Sequence, residues 1–337
     1  MTGQSARGGF PSGGGGLRTE EYVDFLAKEY LGDYLRLGGA AVRFAVVAAD
    51  EVAERLSAGL AAAAAADGYT YAAVDAATTR VHLIDQLFAA VSRQIDWRRL
   101  AADTVRSAYA AIGLPVPSDT SLVVAEVARH HDVDARELGR SLRRQLEQAV
   151  LADAGLAPEF RLAVLRLCQA ELRTGEVDAT ERDAVLSWLR VEPVPLQQLR
   201  PSLIYGRVAR HNARPLLISL AAWLARTTGA GLVLDLDLTR LAVSRRPPLD
   251  ERDGFYYSKA ATLDAYEVVR QLLDATDQLR STLVVATIPP ELVTDESRGL
   301  PAYAALQLRV VDEVRDRRRA NPYAALVRLE VRLEAVR

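Results

Sequence analysis

The apolar and polar positions of this chain change period several times, and each change marks an element. From Thr19 onward, Tyr22, Phe25, Leu26 and Tyr30 recur at spacings of three and four, with Glu20 and Glu21 behind Thr19 as a helix start. Residues 41–47 (AVRFAVV) are β-branched and aromatic and predict a buried strand; 50–66 predict an alanine-rich helix, and 69–74 a second strand. Connections this short imply that the two strands form a parallel pair. From His82 to Leu199 the pattern is almost wholly helical, broken at 113–117, 155–158, 175 and 193–195, and predicts about five helices. Strand signals return at 232–237 (LVLDLD) and 282–287 (TLVVAT), separated by a polar loop through Pro247 and Pro248 and by a helix over 263–279. The alternating run 326–333 (LVRLEVRL) predicts an edge strand. No fixed-period repeat is present.

Together these elements predict an α/β fold, a three-layer sandwich around a parallel sheet of about five strands with a large helical insertion. The expected division is a flexible glycine-rich tail over 1–18, a first part of the α/β core over 19–96, the helical insertion over 97–200 and the second part of the core over 201–337. Seven of the 21 glycines fall in the first sixteen residues, a composition that cannot bury enough apolar surface to offset chain entropy.

Composition narrows the functional classes. With 337 residues, 50% hydrophobic and 26% charged, the chain reads as one large or two ordinary globular domains. Its 42 basic and 44 acidic residues leave a net charge of −2, which excludes a surface that is basic throughout but permits local basic patches. There is no apolar run long enough to span a membrane and no signal-peptide pattern at the N-terminus, so the expectation is a cytoplasmic protein without membrane contact. The single Cys168 excludes an internal disulfide or a cysteine-rich zinc site, and no metal is expected. Only Lys28 and Lys259 are lysines, so any mechanism that needs a lysine has two candidates.

In an open parallel sheet, ligands bind outside the carboxyl ends of the strands. A phosphate-binding loop there needs glycines, so that backbone N–H groups can approach the phosphates, then Lys and Ser or Thr. After Val47 comes Ala48-Ala49-Asp50-Glu51-Val52-Ala53-Glu54-Arg55-Leu56, with no glycine, no lysine and three carboxylates. Asp50 is expected to cap the following helix and Glu51 to favour its dipole. The strand at 232–237 ends in Asp237, placed as a magnesium-liganding aspartate would be, but Leu238 stands where a water-orienting glutamate would follow. The alternative for Asp237 is a strand-end or turn carboxylate.

Five segments in order carry a family resemblance: EYVDFLAKEYLGDYLRLGGAAVRFAVV, GYTYAAVDA, WLRVEPVPLQQLRP, HNARPLLISLAAWLARTTGAGLVLDLD and VVATIPPELVTDESRGLPAYAALQLRV. Over residues 20–329 the chain resembles the ATP-binding family associated with BREX-type phage-defence systems, which belongs to the AAA-like P-loop ATPases. The resemblance implies a Walker A loop after 41–47 and a Walker B Asp-Glu at the end of 232–238; this sequence departs from the family at both. It further implies a sensor polar residue at Thr287 and an interface arginine at Arg309, after Tyr303-x-x-Leu306.

Other constellations suggest less. His130 and His131 with Asp132 and Asp134 are read as an exposed helix end, because adjacent side chains on a helix diverge by about 100°. Residues 125–146 can be read as a helix-turn-helix with Arg140, Arg143 and Arg144 facing phosphates. The run Arg315-Asp316-Arg317-Arg318-Arg319 is read as a solvated face, with phosphate or partner contact through Arg317, Arg318 and Arg319 as the alternative. Cys168 reads as core, and no serine or cysteine lies in a nucleophile elbow. The expected function is thus a catalytically inactive AAA-like pseudo-ATPase, a structural or regulatory subunit beside an active ATPase, helicase or DNA-modifying partner, with DNA reached through the complex. Its vestigial pocket would comprise Asp50, Glu51, Asp237 and Thr287. The alternatives are a nucleic-acid-binding adaptor that uses the helical region, and a non-hydrolysing binder of magnesium-ATP served by Lys28 from a preceding helix or Lys259 from a loop. No cofactor is the leading expectation.

Overall fold

The computed structural model describes residues 16–248, 250, 253–310 and 321–330. The chain enters through a two-residue strand β1 (Leu17–Arg18) and helix α1 (Thr19–Phe25), which continues as a π-helix over Leu26–Tyr34. Strand β2 (Ala40–Val46), helix α2 (Asp50–Ala66) and strand β3 (Thr70–Asp75) follow. Seven helices come next: α3 (Ile84–Ser92), α4 (Trp97–Ala111), α5 (Val124–His131), α6 (Ala135–Leu151), α7 (Pro158–Leu172), α8 (Ala179–Leu189) and α9 (Leu196–Leu199). The second part of the sheet is built by α10 (Arg210–Thr228), β4 (Leu232–Asp237), α11 (Lys259–Asp274), β5 (Thr282–Ile288), α12 (Pro290–Thr294), α13 (Ala304–Val310) and β6 (Leu326–Glu330).

These strands form one parallel sheet in the order β1-β6-β2-β5-β4-β3. Three expectations are corrected by this order. β2 and β3 are parallel but not neighbours: β5 and β4 lie between them, because strand pairing is settled by strands that arrive later in the chain. β6 is not an edge strand, since β1 pairs outside it. The backbone of Leu17 and Arg18, expected in the tail, is that edge, in register with Leu329 and Glu330. Residues 1–15 and 331–337 lie outside the described residues.

Constant crossover handedness requires that connections running in opposite directions across the sheet pass over opposite faces. The connection from β2 to β3 runs one way through α2; those from β3 to β4 and from β4 to β5 run back through α10 and α11. The core divides accordingly. Ala41, Ala45, Val233, Leu283 and Val285 on one face pack with Val52, Leu56 and Leu60 of α2 and with Tyr22 and Leu26. Phe44, Val74, Leu234, Leu236 and Ala286 on the other face belong to a larger cluster with α10, α11 and the helices between β3 and α10. Trp97, Phe160, Cys168 and Trp188 of that helical region are therefore in one continuous apolar core with the sheet, and the Cys168 thiol is fully buried.

Candidate functional site

Parallel register aligns the strand ends. Asp237 lies opposite Asp75 on one side and Thr287 on the other, and Thr287 lies opposite Ala45 of β2. Opposite residues in register share a face, here the one covered by α2. Asp237 Oδ1 accepts from both the backbone N–H (2.8 Å) and the hydroxyl (2.6 Å) of Thr239, an Asx-type turn that closes the strand. Burial raises the Asp237 carboxyl above its ordinary range; the Thr239 bonds oppose this, while the nearby charges of Asp75 and Asp50 push the same way as burial.

One pleat earlier on the same face, Asp235 is buried and accepts from Tyr71 Oη at 2.7 Å, with Ser57 Oγ of α2 at 2.8 Å from that hydroxyl. Burial raises this carboxyl too, against the hydrogen bonds from Ser57 and Tyr71. Sequence reasoning missed Asp75, Asp235, Thr239 and Tyr71. A local signal existed only for Thr239, two residues past a strand-end aspartate.

Of the expected pocket residues, the fold brings Asp50, Asp237 and Thr287 to one edge, with exposed Glu51 beside Asp50 in the first turn of α2. The connection from β2 to α2 is Val47-Ala48-Ala49 alone, and its N-cap residue is Ala49, without a side-chain bond. Asp50 is thus the first helical residue and not the cap it was expected to be. Leu238 is fully buried within the core on the opposite face, its N–H donating to the Thr287 carbonyl at 2.8 Å. Lys259 is the first residue of α11 behind the N-cap Ser258, not a loop residue; the serine hydroxyl starts that helix four residues earlier than the apolar period suggested.

Arg309 lies at the other end of the sheet. It lines a cavity of about 490 Å³ with Ala40 and Val42 at the start of β2, Thr276 beyond α11, and Tyr30 and Tyr323. Its guanidinium bonds Asp274 at 2.7 Å and the Ala305 carbonyl at 2.6 Å. Arg270 joins Asp274 to Glu267, whose carboxyl it holds down at about 2, and Tyr303 also donates to Glu267.

In the helical region, α5 and α6 are joined by Asp132-Val133-Asp134, with Asp132 left-handed (φ 52°) and Asp134 capping Glu137 N–H at 2.8 Å. Arg140 and Arg144 are exposed, whereas Arg143 pairs with Glu176. His130 and His131 have ring centroids 5.0 Å apart, and the described residues contain no cluster of three metal-ligating side chains. Arg317, Arg318 and Arg319 lie outside the described residues.

A single parallel sheet with helices on both faces defines a three-layer α/β sandwich of the P-loop-like kind, here with a carboxylate row at its carboxyl edge. The family model described as "BREX system ATP-binding protein BrxC/D" matches residues 120–335, and the chain belongs to that family. The family places it among the components of a multi-protein phage-defence system. The matched segment contains β4, β5 and β6; β2 and α2 precede it. No curated protein and no solved structure matches the chain. Among the described residues, no helix is long and apolar enough to cross a membrane.

Proposed function

We propose that this chain is a non-hydrolysing, ATPase-like subunit that acts structurally or by regulation within a BREX-type assembly, beside an active ATPase, helicase or DNA-modifying subunit. The observation that carries the reading is the three-residue turn from β2 to α2. A triphosphate is held by a longer glycine-rich loop whose N–H groups converge on it, with a lysine to neutralise charge. Here the turn is too short to wrap a phosphate, and Asp50 and Glu51 bring negative charge to the helix start instead. These residues do not fit a bound triphosphate.

Leu238 supports the same reading. A water-activating carboxylate must reach into the site, and this side chain faces the core on the other side of the sheet. Asp237 is already engaged by Thr239, whose backbone N–H and hydroxyl both donate to one carboxyl oxygen and close the strand end.

The test is steady-state ATP hydrolysis by the purified full chain, free of contaminating ATPase. Turnover at the level of the buffer blank is expected for wild type and Asp237→Ala alike. Turnover above the blank that Asp237→Ala abolishes would overturn the proposal.

A further inference from the structure

The chain carries 44 acidic residues, yet none falls between 193 and 234. Within that stretch, Arg200, Arg207, Arg210 and Arg214 gather where α9 turns into α10. Arg200, Arg207 and Arg210 are exposed and Arg214 is half-buried. Among the described residues, none of the four pairs with a carboxylate, whereas Arg143 pairs with Glu176, Arg226 with Asp153 and Arg309 with Asp274. Arg210 and Arg214 are one helical turn apart on α10, and Asn212 Nδ2 ties the carbonyl of Arg207 to that same turn at 3.1 Å.

The segment is held firmly. Trp188 Nε1 donates to the Gly206 carbonyl at 2.8 Å, Ser202 Oγ bonds buried Glu181 at 2.7 Å, and Ile204 is buried between them. This anchoring presents Tyr205, between Arg200 and Arg207 in the chain, with 67% of its surface exposed. In the loop after β3, exposed Arg80 lies over the ring of Phe255, 4.9 Å from its centroid; Arg80 and Arg210 both add to the burial that lowers the His82 pKa, against Asp264 and Asp85. Because α10 runs antiparallel to β4 and is about 28 Å long against about 20 Å for the strand, its start overhangs the carboxyl edge of the sheet.

We infer that Arg200, Arg207, Arg210 and Arg214, with Tyr205 exposed in the same segment, form a docking surface for single-stranded nucleic acid. Planar guanidinium forks match phosphate oxygens in pairs. An acidic protein would use the charges; the exposed ring in the same segment adds a stacking face that a base can occupy. This inference does not rest on the absence of ATP hydrolysis.

The experiment is fluorescence anisotropy of a labelled oligothymidine of about 30 nucleotides with the purified full chain over a salt series. Arg207→Glu with Arg210→Glu is expected to weaken binding by about tenfold or more and to flatten the slope of log K against log salt by about 1.4, the share of two phosphates. Tyr205→Ala is expected to weaken binding by about fivefold with the slope unchanged. Arg140→Ala with Arg144→Ala is expected to bind as wild type, and unchanged melting temperatures for these surface variants show that the fold persists. Three results would overturn the inference: a wild-type chain that leaves the probe unbound, a double variant that binds like wild type, or displacement of the probe by polyglutamate as effectively as by unlabelled oligonucleotide, the last assigning the surface to an acidic protein.

Discussion

Leu238→Glu, the substitution that would create an Asp-Glu pair at the end of β4, is expected to destabilise the chain rather than confer hydrolysis. Leu238 has no exposed surface and packs in the core with Leu236 and Leu241. A glutamate there either buries a carboxylate among apolar side chains or turns out and leaves a void. The first costs several kcal/mol and the second about 2 to 5 kcal/mol, against a total stability of about 5–15 kcal/mol. Thermal unfolding followed by circular dichroism checks this, with a fall in midpoint of about 3–7 °C expected for a chain of 337 residues. A variant that melts like wild type would show that position 238 can face the site after all.

Gly231→Ala is expected to cost about 3 kcal/mol or more, by overpacking against backbone that cannot yield. A Cβ at Gly231 would lie 1.8 Å from the Ser281 carbonyl oxygen and 2.6 Å from the Ser281 Cβ. Both neighbouring ladders pass through this point: Thr70 N–H donates to the Gly231 carbonyl at 2.9 Å, and Leu232 N–H to the Ser281 carbonyl at 3.0 Å. The clash therefore strikes the register that sets Asp237 between Asp75 and Thr287. Gly206→Ala, where a Cβ meets nothing within 4 Å, is the control and is expected to stay within about 0.5 kcal/mol. Urea unfolding midpoints compare the two, and equal midpoints would contradict the account of β4.

Local features of this fold are written in the sequence, and non-local ones are not. β4 and α2 begin and end where the sequence predicts, because a run such as LVLDLD or an unbroken alanine-rich period states its own conformation. The insertion of β5 and β4 between β2 and β3 left no local trace, since partners are chosen across the sheet. β1 was missed because two residues carry no period, and with it went the interior position of β6. The same division holds at the site. Asp237 was legible as the end of an apolar strand, whereas Asp75 reaches it only through the β3–β4 register, and the Tyr71–Asp235 bond spans two strands. Arg309 shows the converse: a sequence position after Tyr-x-x-Leu says nothing of which end of the sheet it reaches, and it lies by the first residues of β2. The arginines of the α9–α10 turn went unnoticed because no charge run marks them; what marks them in the sequence is the lack of acids from 193 to 234.

The central claim is that the turn between β2 and α2 cannot hold a triphosphate. Its most direct test is calorimetric titration of the purified chain with magnesium-ATP, after absorbance has shown the protein free of bound nucleotide. The account predicts no binding heat up to about millimolar ATP, the regime of −4 kcal/mol affinities. A saturable isotherm with micromolar affinity would contradict it and would mean that residues 48–56 and their neighbours build a phosphate site by other contacts.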